Sequence, residues 1–269
     1  MRVEAFSSGR PDRDNEDFAI WGDDVAVLLD GAGMPDALHP PCVHGVSWFA
    51  RTLGTALCSA AVASETLQDA LALAIARTAD LHRGTCAVDD VLSPSATVAA
   101  LRVRRDAVDW LVLGDCTLLV ERGHLVEAIS DDRLASVAQE HRAAMNAAPP
   151  GSDERRELHS LLVQAERALR NRPGGYWVAA ADPRAANAAL SGRYPREDVT
   201  RIALLTDGAA RLTDTFAQTD WEGCLGILES EGPESLIRRV REAELADAAL
   251  TRWPRSKPHD DATAVYIRP

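Results

Sequence analysis

Acidic residues recur at turn-like positions that are far apart in this 269-residue sequence. A single Asp-Gly pair is an ordinary turn, because both residues favour turns. Several carboxylates gathered in one cleft, however, would repel each other unless a cation neutralised them, and oxygen ligands favour magnesium or manganese over zinc. Two such ions sharing a carboxylate could activate a water molecule for attack on phosphorus. The residues concerned are Glu16, Asp17, Asp30, Asp115, Asp207, Asp260 and Asp261.

The strands predicted around these residues place most of them at strand ends. Residues 25–29 form a short apolar run that stops at Asp30, which is typical of a buried strand. An antiparallel meander is predicted for 96–103, 107–113 and 116–121, with Asp115 in one of its turns. Strand-like runs also occur at 176–180, at 201–206 just before Asp207, and at 262–267 just after Asp260. Several acids are therefore expected to converge.

Helical spacing of apolar residues predicts core-facing helices at 43–63 and 66–82, and Gly232-Pro233 predicts the start of a helix that runs to about 249. The charged, alanine-rich residues 132–170 are expected to form two exposed helices joined by a turn at 149–151. We expect one domain over residues 1–269, with a helical insertion at about 132–172.

His82 and Cys86 have helical spacing that suits a metal, but two ligands make a poor site, so a half-buried helix face is the better interpretation.

Composition restricts the class of protein. Hydrophobic residues make up 46% of the chain and charged residues 26%, which is typical of a globular fold. The net charge of -12 argues against nucleic acid as a partner. Five cysteines without a C-x-x-C pair indicate neither a disulfide framework nor a zinc ribbon, and they favour a reducing compartment. Neither a signal peptide nor a membrane span is predicted, so we expect a cytoplasmic protein.

Five motifs occur in one order along the chain, and together they resemble the signature of type 2C protein phosphatases, the PPM family. They are Asn15-Glu16-Asp17, Leu29-Asp30-Gly31-Ala32-Gly33, Ser95-Ala96-Thr97 followed by Leu113-Gly114-Asp115, Leu205-Thr206-Asp207-Gly208, and Asp260-Asp261-Ala262-Thr263. The resemblance covers nearly the whole chain and is closest to bacterial members. It implies an α+β fold, a four-layer α/β/β/α sandwich of two antiparallel sheets flanked by helices, with a two-metal site in a cleft at one edge.

The resemblance also implies roles for single residues. Asp30 resembles the carboxylate that bridges two magnesium or manganese ions, and Gly31 resembles the residue whose backbone carbonyl binds one of them. Asp207 and Asp260 resemble the remaining ligands of the other ion. The family usually has asparagine where Asp261 stands, so Asp260 takes the ligand register and Asp261 stays an alternative ligand.

Further acids and a phosphate ligand follow from the same resemblance. Asp115 resembles the aspartate that helps to hold a third, weaker metal in bacterial members, and Glu16 and Asp17 resemble acids that hold metal-bound water. The family's phosphate-binding arginine usually occupies the position of Asp12, so Arg13 is the first candidate for that role and Arg10 the substitute.

The general acid is less well defined. Animal members place a histidine after the Asp-Gly pair, where this chain has Ala32, a departure that bacterial members commonly share. Leaving-group protonation would then fall to water or to another residue. His39, His44 and His259 lie near the motifs, but a capping or surface role is the more common one for such histidines.

The resemblance implies a serine/threonine phosphoprotein phosphatase that hydrolyses phosphomonoesters through a metal-activated water. Its partner would be a phosphorylated protein, with no nucleic acid or membrane involved, and we expect a monomer. One alternative is a non-catalytic phosphatase-like domain that binds a phosphoprotein or signalling partner; the displaced arginine motivates it, and the intact Asp30, Asp207 and Asp260 argue against it. Another is a hydrolase of small phosphoesters with residues 132–175 as a lid, which sequence alone does not separate from the first.

Overall fold

The computed structural model describes residues 1–11, 13–32 and 41–269; Asp12, Gly33 and His39, which entered the predictions above, lie outside these ranges. The strands are β1 (Arg2–Ser8), β2 (Phe18–Trp21), β3 (Val25–Ala32), β4 (Ser95–Val103), β5 (Ala107–Leu113), β6 (Thr117–Arg122), β7 (Leu125–Ile129), β8 (Leu190–Pro195), β9 (Val199–Leu205) and β10 (Ala262–Arg268). The α-helices are α1 (Val46–Ala63), α2 (Leu67–His82), α3 (Arg133–Ser136), α4 (Gln139–Ala147), α5 (Asp153–Ala168), α6 (Asp207–Asp214), α7 (Trp221–Ser230) and α8 (Pro233–Ala246).

Two five-stranded antiparallel sheets form the centre of the molecule. Their strand orders are β1-β10-β9-β6-β7 and β2-β3-β4-β5-β8. A layer of aliphatic side chains that includes Leu28, Leu101, Leu118, Leu204 and Ile267 fills the space between them. Helices α1 and α2 pack on the outer face of the second sheet, and α6 to α8 on that of the first. The predicted four-layer sandwich is thus confirmed.

Strand β3 shows why a continuous apolar run precedes Asp30. Alternate residues point to opposite faces of a strand. Ala26 and Leu28 face the space between the sheets, whereas Val27 and Leu29 pack against α1 and α2. All of them are buried, so both faces need apolar side chains, and truncating Leu28 to alanine is expected to cost about 2–5 kcal/mol.

Local signals fix the helices that flank the sheets. Thr66 and Ser152 are the N-cap residues of α2 and α5, and their side chains accept hydrogen bonds from Asp69 N and Arg155 N. At the other end of the chain, the α8 helix stops at Ala246, short of the predicted 249, because the Asp247 side chain accepts the backbone N–H groups of residues 251–253 instead. Within the described residues, every helix is too short or too polar to cross a bilayer.

The structure differs from the sequence prediction in several elements. Residues 176–180 form only isolated bridges, because Asn171 Oδ1 takes the N–H of Val178 at 2.9 Å and Ala179 alone pairs with β4 at Ala96. Residues 132–170 form three helices rather than two. Sequence reasoning missed β1, β7, β8 and α7, and it treated Asp207 as a turn residue although α6 begins there. The short, largely exposed β7 and β8 carry weak apolar patterns.

Candidate active site

A cleft of about 580 Å³ opens where β3, β5 and β9 end. Asp30 lies on β3 opposite Thr97 of β4, Asp115 follows β5, and Asp207 follows β9 as the first residue of α6. Asp30, Asp115 and Asp207 line the cleft, as do Glu16 and both candidate arginines, Arg10 and Arg13. The predicted Asp17, Asp260 and Asp261 are buried next to this lining. The sandwich therefore brings acids from the whole length of the chain to one edge.

The glycines of two motifs are required by close approach to another motif. A Cβ atom on Gly31 would lie 2.6 Å from the carbonyl oxygen of Glu16 and 2.6 Å from Val46 Cγ1. A Cβ atom on Gly208 would lie 2.0 Å from the carbonyl oxygen of Asp261. Each Asp-Gly pair therefore ends a strand and also lets a distant acidic motif pack against the backbone.

Asp30 and Asp207 form the electrostatic centre of the cleft. Burial raises the pKa of Asp30 well above its usual range, and the negative charges of Asp207, Asp17, Asp260 and Asp115 raise it further. Burial would also raise the pKa of Asp207, but Arg211, Lys257 and a hydrogen bond shared with Asp30 bring it below its usual value. These opposite directions favour a proton on Asp30 and a charge on Asp207 when no cation is bound, because two adjacent carboxylates do not both ionise readily.

Asp17 is anchored from one side only. Its Oδ2 atom accepts hydrogen bonds from Thr206 Oγ1 at 3.0 Å and Thr263 Oγ1 at 2.7 Å, so the residues flanking Asp207 and Asp260 hold it. Its Oδ1 atom is buried without a hydrogen-bond partner in the described structure. Burial raises the pKa of Asp17 to about 8. The hydrogen bond from Thr263 opposes this shift, and the negative charge of Asp207 adds to it. A buried carboxylate oxygen without a donor suits a cation or an ordered water.

Asp260 is held by two basic side chains. Lys257 Nζ lies 2.5 Å from its Oδ1 atom and Arg211 Nη2 lies 2.6 Å from its Oδ2 atom. Arg211 is fixed in turn by the fully buried Glu244 of α8 at 3.0 Å. Burial and the charge of Asp207 raise the pKa of Asp260, although Lys257 and Arg211 oppose that change. Lys257, the only lysine of the chain, reaches the cleft itself.

Asp261 organises the N-terminal segment of the site. Its Oδ1 atom accepts the backbone N–H of Arg10 at 2.8 Å, and its Oδ2 atom accepts that of Glu16 at 3.0 Å. The Arg10 guanidinium pairs with the Glu16 carboxylate at 3.1 Å. Both oxygens of Asp261 therefore bind backbone donors, which favours a positioning role for this residue over ligation of a metal.

Helix α5, in the predicted insertion, forms the opposite wall of the cleft. Arg156, His159 and Ser160 line it from this helix. Arg155 near the start of α5 donates to the carbonyl of Arg255 at 3.0 Å, two residues before Lys257. Arg167 near its end donates to the carbonyl of Ala32 at 2.9 Å, beside Gly31. The helix is thus fixed at both ends to segments that carry the acidic motifs.

A family model described as "Protein phosphatase 2C" matches residues 4–250 of this sequence. The chain belongs to the protein phosphatase 2C family. As a member of that family, it is a metal-dependent serine/threonine phosphatase, a hydrolase of phosphoproteins that depends on Mn²⁺ or Mg²⁺. The predicted family, fold, enzyme class and cofactors are confirmed, and no observation favours the non-catalytic alternative.

Solved structures share the fold of this phosphatase at low sequence identity. Stp1 from Staphylococcus aureus has a TM-score of 0.59 at 16% identity, over 99% of this chain and 94% of that one. MsPP from Mycobacterium smegmatis, in complex with cacodylate, has a TM-score of 0.58 at 18% identity, over 100% of this chain and 98% of that one. The catalytic domain of PstP, in complex with two manganese ions, has a TM-score of 0.57 at 16% identity, over 98% and 96%. No curated protein matches the sequence.

The residues of this phosphatase fit magnesium or manganese at the acidic end of the cleft. The donors there are carboxylates and backbone carbonyls, which are the ligands these hard cations prefer. The hydrogen bond between Asp30 and Asp207, and the Asp17 Oδ1 atom without a hydrogen-bond partner in the described structure, mark carboxylates whose negative charge a cation would balance. Sequence reasoning missed the basic neighbours Arg211 and Lys257, since neither belongs to a motif.

The two predicted histidines within the described residues, His44 and His259, do not line the cleft. His259 Nδ1 pairs with Glu244 at 2.9 Å, and the His44 ring lies beside Cys42 and Cys86. His159, which sequence reasoning missed, is the histidine that lines the described cleft. Burial, then Lys257 and Arg155, lower its pKa, so His159 is neutral at neutral pH and is not a ready proton donor.

Proposed function

We propose that this phosphatase removes phosphate from serine and threonine residues of proteins with two metal ions, bound by Asp30, the Gly31 carbonyl, Asp207 and Asp260. The observation that carries this proposal is the Asp30–Asp207 pair, two acids from separate motifs that both line the cleft and are joined by a side-chain hydrogen bond. Such a pair binds a divalent cation readily, because the cation replaces the proton on Asp30. The two manganese ions in the related PstP catalytic domain support the same stoichiometry.

The surrounding acids would complete the site. Asp115, which lines the cleft, is proposed to help hold a third ion; burial and the charge of Asp207 raise its pKa to about 7. Glu16 and Asp17 are proposed to hold water molecules around the ions. Asp261, whose oxygens bind two backbone N–H groups, is proposed to position the Arg10–Glu16 segment rather than to ligate a metal.

The bound ions would supply Lewis acidity, which lowers the pKa of water and stabilises charge on phosphoryl oxygens. The chain supplies positioning and charge. Arg13 is proposed to bind the phosphate dianion, with Arg10 as the substitute, since both guanidinium groups line the cleft and a guanidinium matches phosphate geometry. Helix α5 forms one wall of the cleft.

The expected substrate is a phosphorylated protein. The net charge of -12 supports a partner other than nucleic acid. The described cysteines are all free thiols, which supports function in a reducing compartment such as the cytoplasm. We further propose that the chain acts as a monomer, with residues 132–172 as an insertion in a single phosphatase domain.

Hydrolysis of p-nitrophenyl phosphate and of a phosphothreonine peptide tests the proposal. Purified protein should release phosphate with Mn²⁺ or Mg²⁺ and none with EDTA, and it should prefer the peptide. Asp207→Asn should be inactive, whereas Asp198→Asn, an exposed acid outside the cleft, should keep full activity. Absence of release from both substrates, with calorimetric proof that Mn²⁺ binds, would favour the non-catalytic alternative. Preference for p-nitrophenyl phosphate would favour a small phosphoester as substrate.

A further inference from the structure

Four metal-binding side chains meet outside the active site. Cys42 and His44 lie in the segment before α1, His82 is the last residue of α2, and Cys86 lies four residues further on. One ligand atom from each residue lies within 4.8 Å of all the others, and no other such group of His, Cys, Asp or Glu occurs in residues 1–11, 13–32 and 41–269. The pair His82 and Cys86, set aside above as too few ligands, therefore has two further partners.

The spacing of these atoms matches a tetrahedral metal site. Cys42 Sγ lies 3.5 Å from Cys86 Sγ, 3.5 Å from His82 Nδ1 and 3.8 Å from His44 Nδ1. Cys86 Sγ lies 3.4 Å from His44 Nδ1. Zinc bond lengths place two sulfur ligands about 3.8 Å apart and a sulfur and a nitrogen about 3.6 Å apart in a tetrahedron. A disulfide would need about 2.05 Å between the sulfurs. Four of the six edges thus match a zinc tetrahedron to within about 0.3 Å, and all six are shorter than 4.8 Å.

The surroundings orient these ligands. The His44 ring stacks on Trp48 with centroids 4.3 Å apart, and Trp48 also lies 5.2 Å from the His82 ring. Backbone hydrogen bonds reach the Cys42 sulfur from His44 and Gly45, and the Cys86 sulfur from Val43. Ala87 N donates to the Pro41 carbonyl at 3.2 Å, which joins the two ligand-bearing segments. Such outer contacts hold metal ligands in place.

We propose that Cys42, His44, His82 and Cys86 form a structural Zn²⁺ site, separate from the catalytic ions. Two thiolates and two neutral imidazoles balance the charge of Zn²⁺. The site as a whole therefore carries no net charge, although Cys42 and His82 are buried. Four protein ligands close the coordination sphere, which is typical of structural sites. The ion links the start of α1 to the end of α2. Because Val46 of α1 packs against Gly31, the link also supports the backbone beside Asp30.

Metal analysis of the purified, reduced chain tests the zinc site. Wild type is expected to carry about one zinc per chain. Loss of a second-sphere contact weakens metal binding about 10–100-fold, so loss of a ligand in His44→Ala or Cys86→Ser should weaken Zn²⁺ binding at least about 100-fold in a chelator competition. His124→Ala and Cys58→Ser, which change residues outside the cluster, should bind zinc like wild type. Because His44 is exposed, His44→Ala leaves the core intact.

Two further measurements separate this site from the catalytic one. Asp30→Asn should lose phosphatase activity yet keep zinc and its affinity. Wild type loaded with Co²⁺ should show the visible bands of tetrahedral cobalt and a thiolate-to-cobalt charge-transfer band, both absent in Cys86→Ser. A reduced wild-type protein that contains no zinc and gives no thiolate–cobalt band would overturn the proposal. A Cys42–Cys86 disulfide in protein isolated from reducing cytoplasm would overturn it as well.

Discussion

Lys257 is expected to oppose metal binding at Asp260, and its replacement by methionine should strengthen that binding. The lysine is charged at neutral pH: burial would lower its pKa, but Asp260, Asp207 and Asp30 raise it. Its Nζ atom lies 2.5 Å from Asp260 Oδ1, an oxygen that the proposed metal site needs. Lys257→Met removes this charge while Arg211 continues to hold the second oxygen of Asp260.

The size of the effect follows from Coulomb's law. An ion about 2.1 Å from Asp260 Oδ1 would lie at most about 4.6 Å from Nζ in its present position. At that separation, a single and a double positive charge repel by about 1.8 kcal/mol in the dielectric constant of water. The value for water is used because the Lys257 side chain is 39% exposed, so solvent screens its charge. Since 1.36 kcal/mol is a factor of ten, Mn²⁺ should bind about 20-fold more tightly to Lys257→Met.

Isothermal titration of Mn²⁺ into metal-free protein, without substrate, measures this effect directly. Lys257→Arg keeps the charge and is the matched control, so its affinity should stay near that of wild type. Unchanged or weaker Mn²⁺ binding by a folded Lys257→Met variant would refute the reasoning. An equal gain in Lys257→Arg would show that charge repulsion is not the cause.

Three further predictions address the remaining parts of the site. Asp207→Asn should abolish hydrolysis without unfolding the chain, as judged by circular dichroism, and measurable turnover would contradict the two-metal proposal. Arg13→Ala should mainly raise KM for phosphoesters; an unchanged KM there, with a raised KM in Arg10→Ala, would move the phosphate role to Arg10. The stabilisation by Mn²⁺ should grow with pH. Burial, and the charge of Asp207, raise the pKa of Asp17 to about 8 and of Asp115 to about 7, so the metal-free fold loses stability as pH rises from about 4 to about 8, where these protons leave. Mn²⁺ replaces the protons, so its effect on Tm should be larger at high pH than at low pH, and an equal or opposite trend in differential scanning fluorimetry would contradict this assignment.

The sequence was sufficient to predict the acidic residues that converge, because their motifs carry two signals at once. Asp30 and Asp207 follow apolar runs that are typical of buried strands, and each precedes a glycine that is needed for close packing. Antiparallel strands that end at one edge bring such residues together. The order of the motifs then defined the family and, through it, the four layers of the sandwich.

Contacts between distant segments could not be predicted in the same way. Lys257 and Arg211 belong to no periodic pattern, and they approach Asp260 only because α6 and the segment before β10 pack side by side. His82 and Cys86 were recognisable as a helical pair. Their partners Cys42 and His44, however, are separated from them along the sequence by α1 and α2. Single-sequence periodicity describes one element at a time, so it does not report which elements meet.

The two proposed metal sites differ in what balances their charge, and this difference suggests different roles. At the acidic cleft, Arg211 and Lys257 partly neutralise Asp260, and the raised pKa of Asp30 favours its protonated form beside Asp207. The fold can therefore form without the catalytic ions, which then displace protons and a lysine and can exchange. The cluster of Cys42, His44, His82 and Cys86 would instead bind its ion through two thiolates and two neutral imidazoles, with protons released as the metal binds, so its metal is coupled to folding. An exchangeable catalytic pair and a permanent structural ion are the arrangement that these two environments favour.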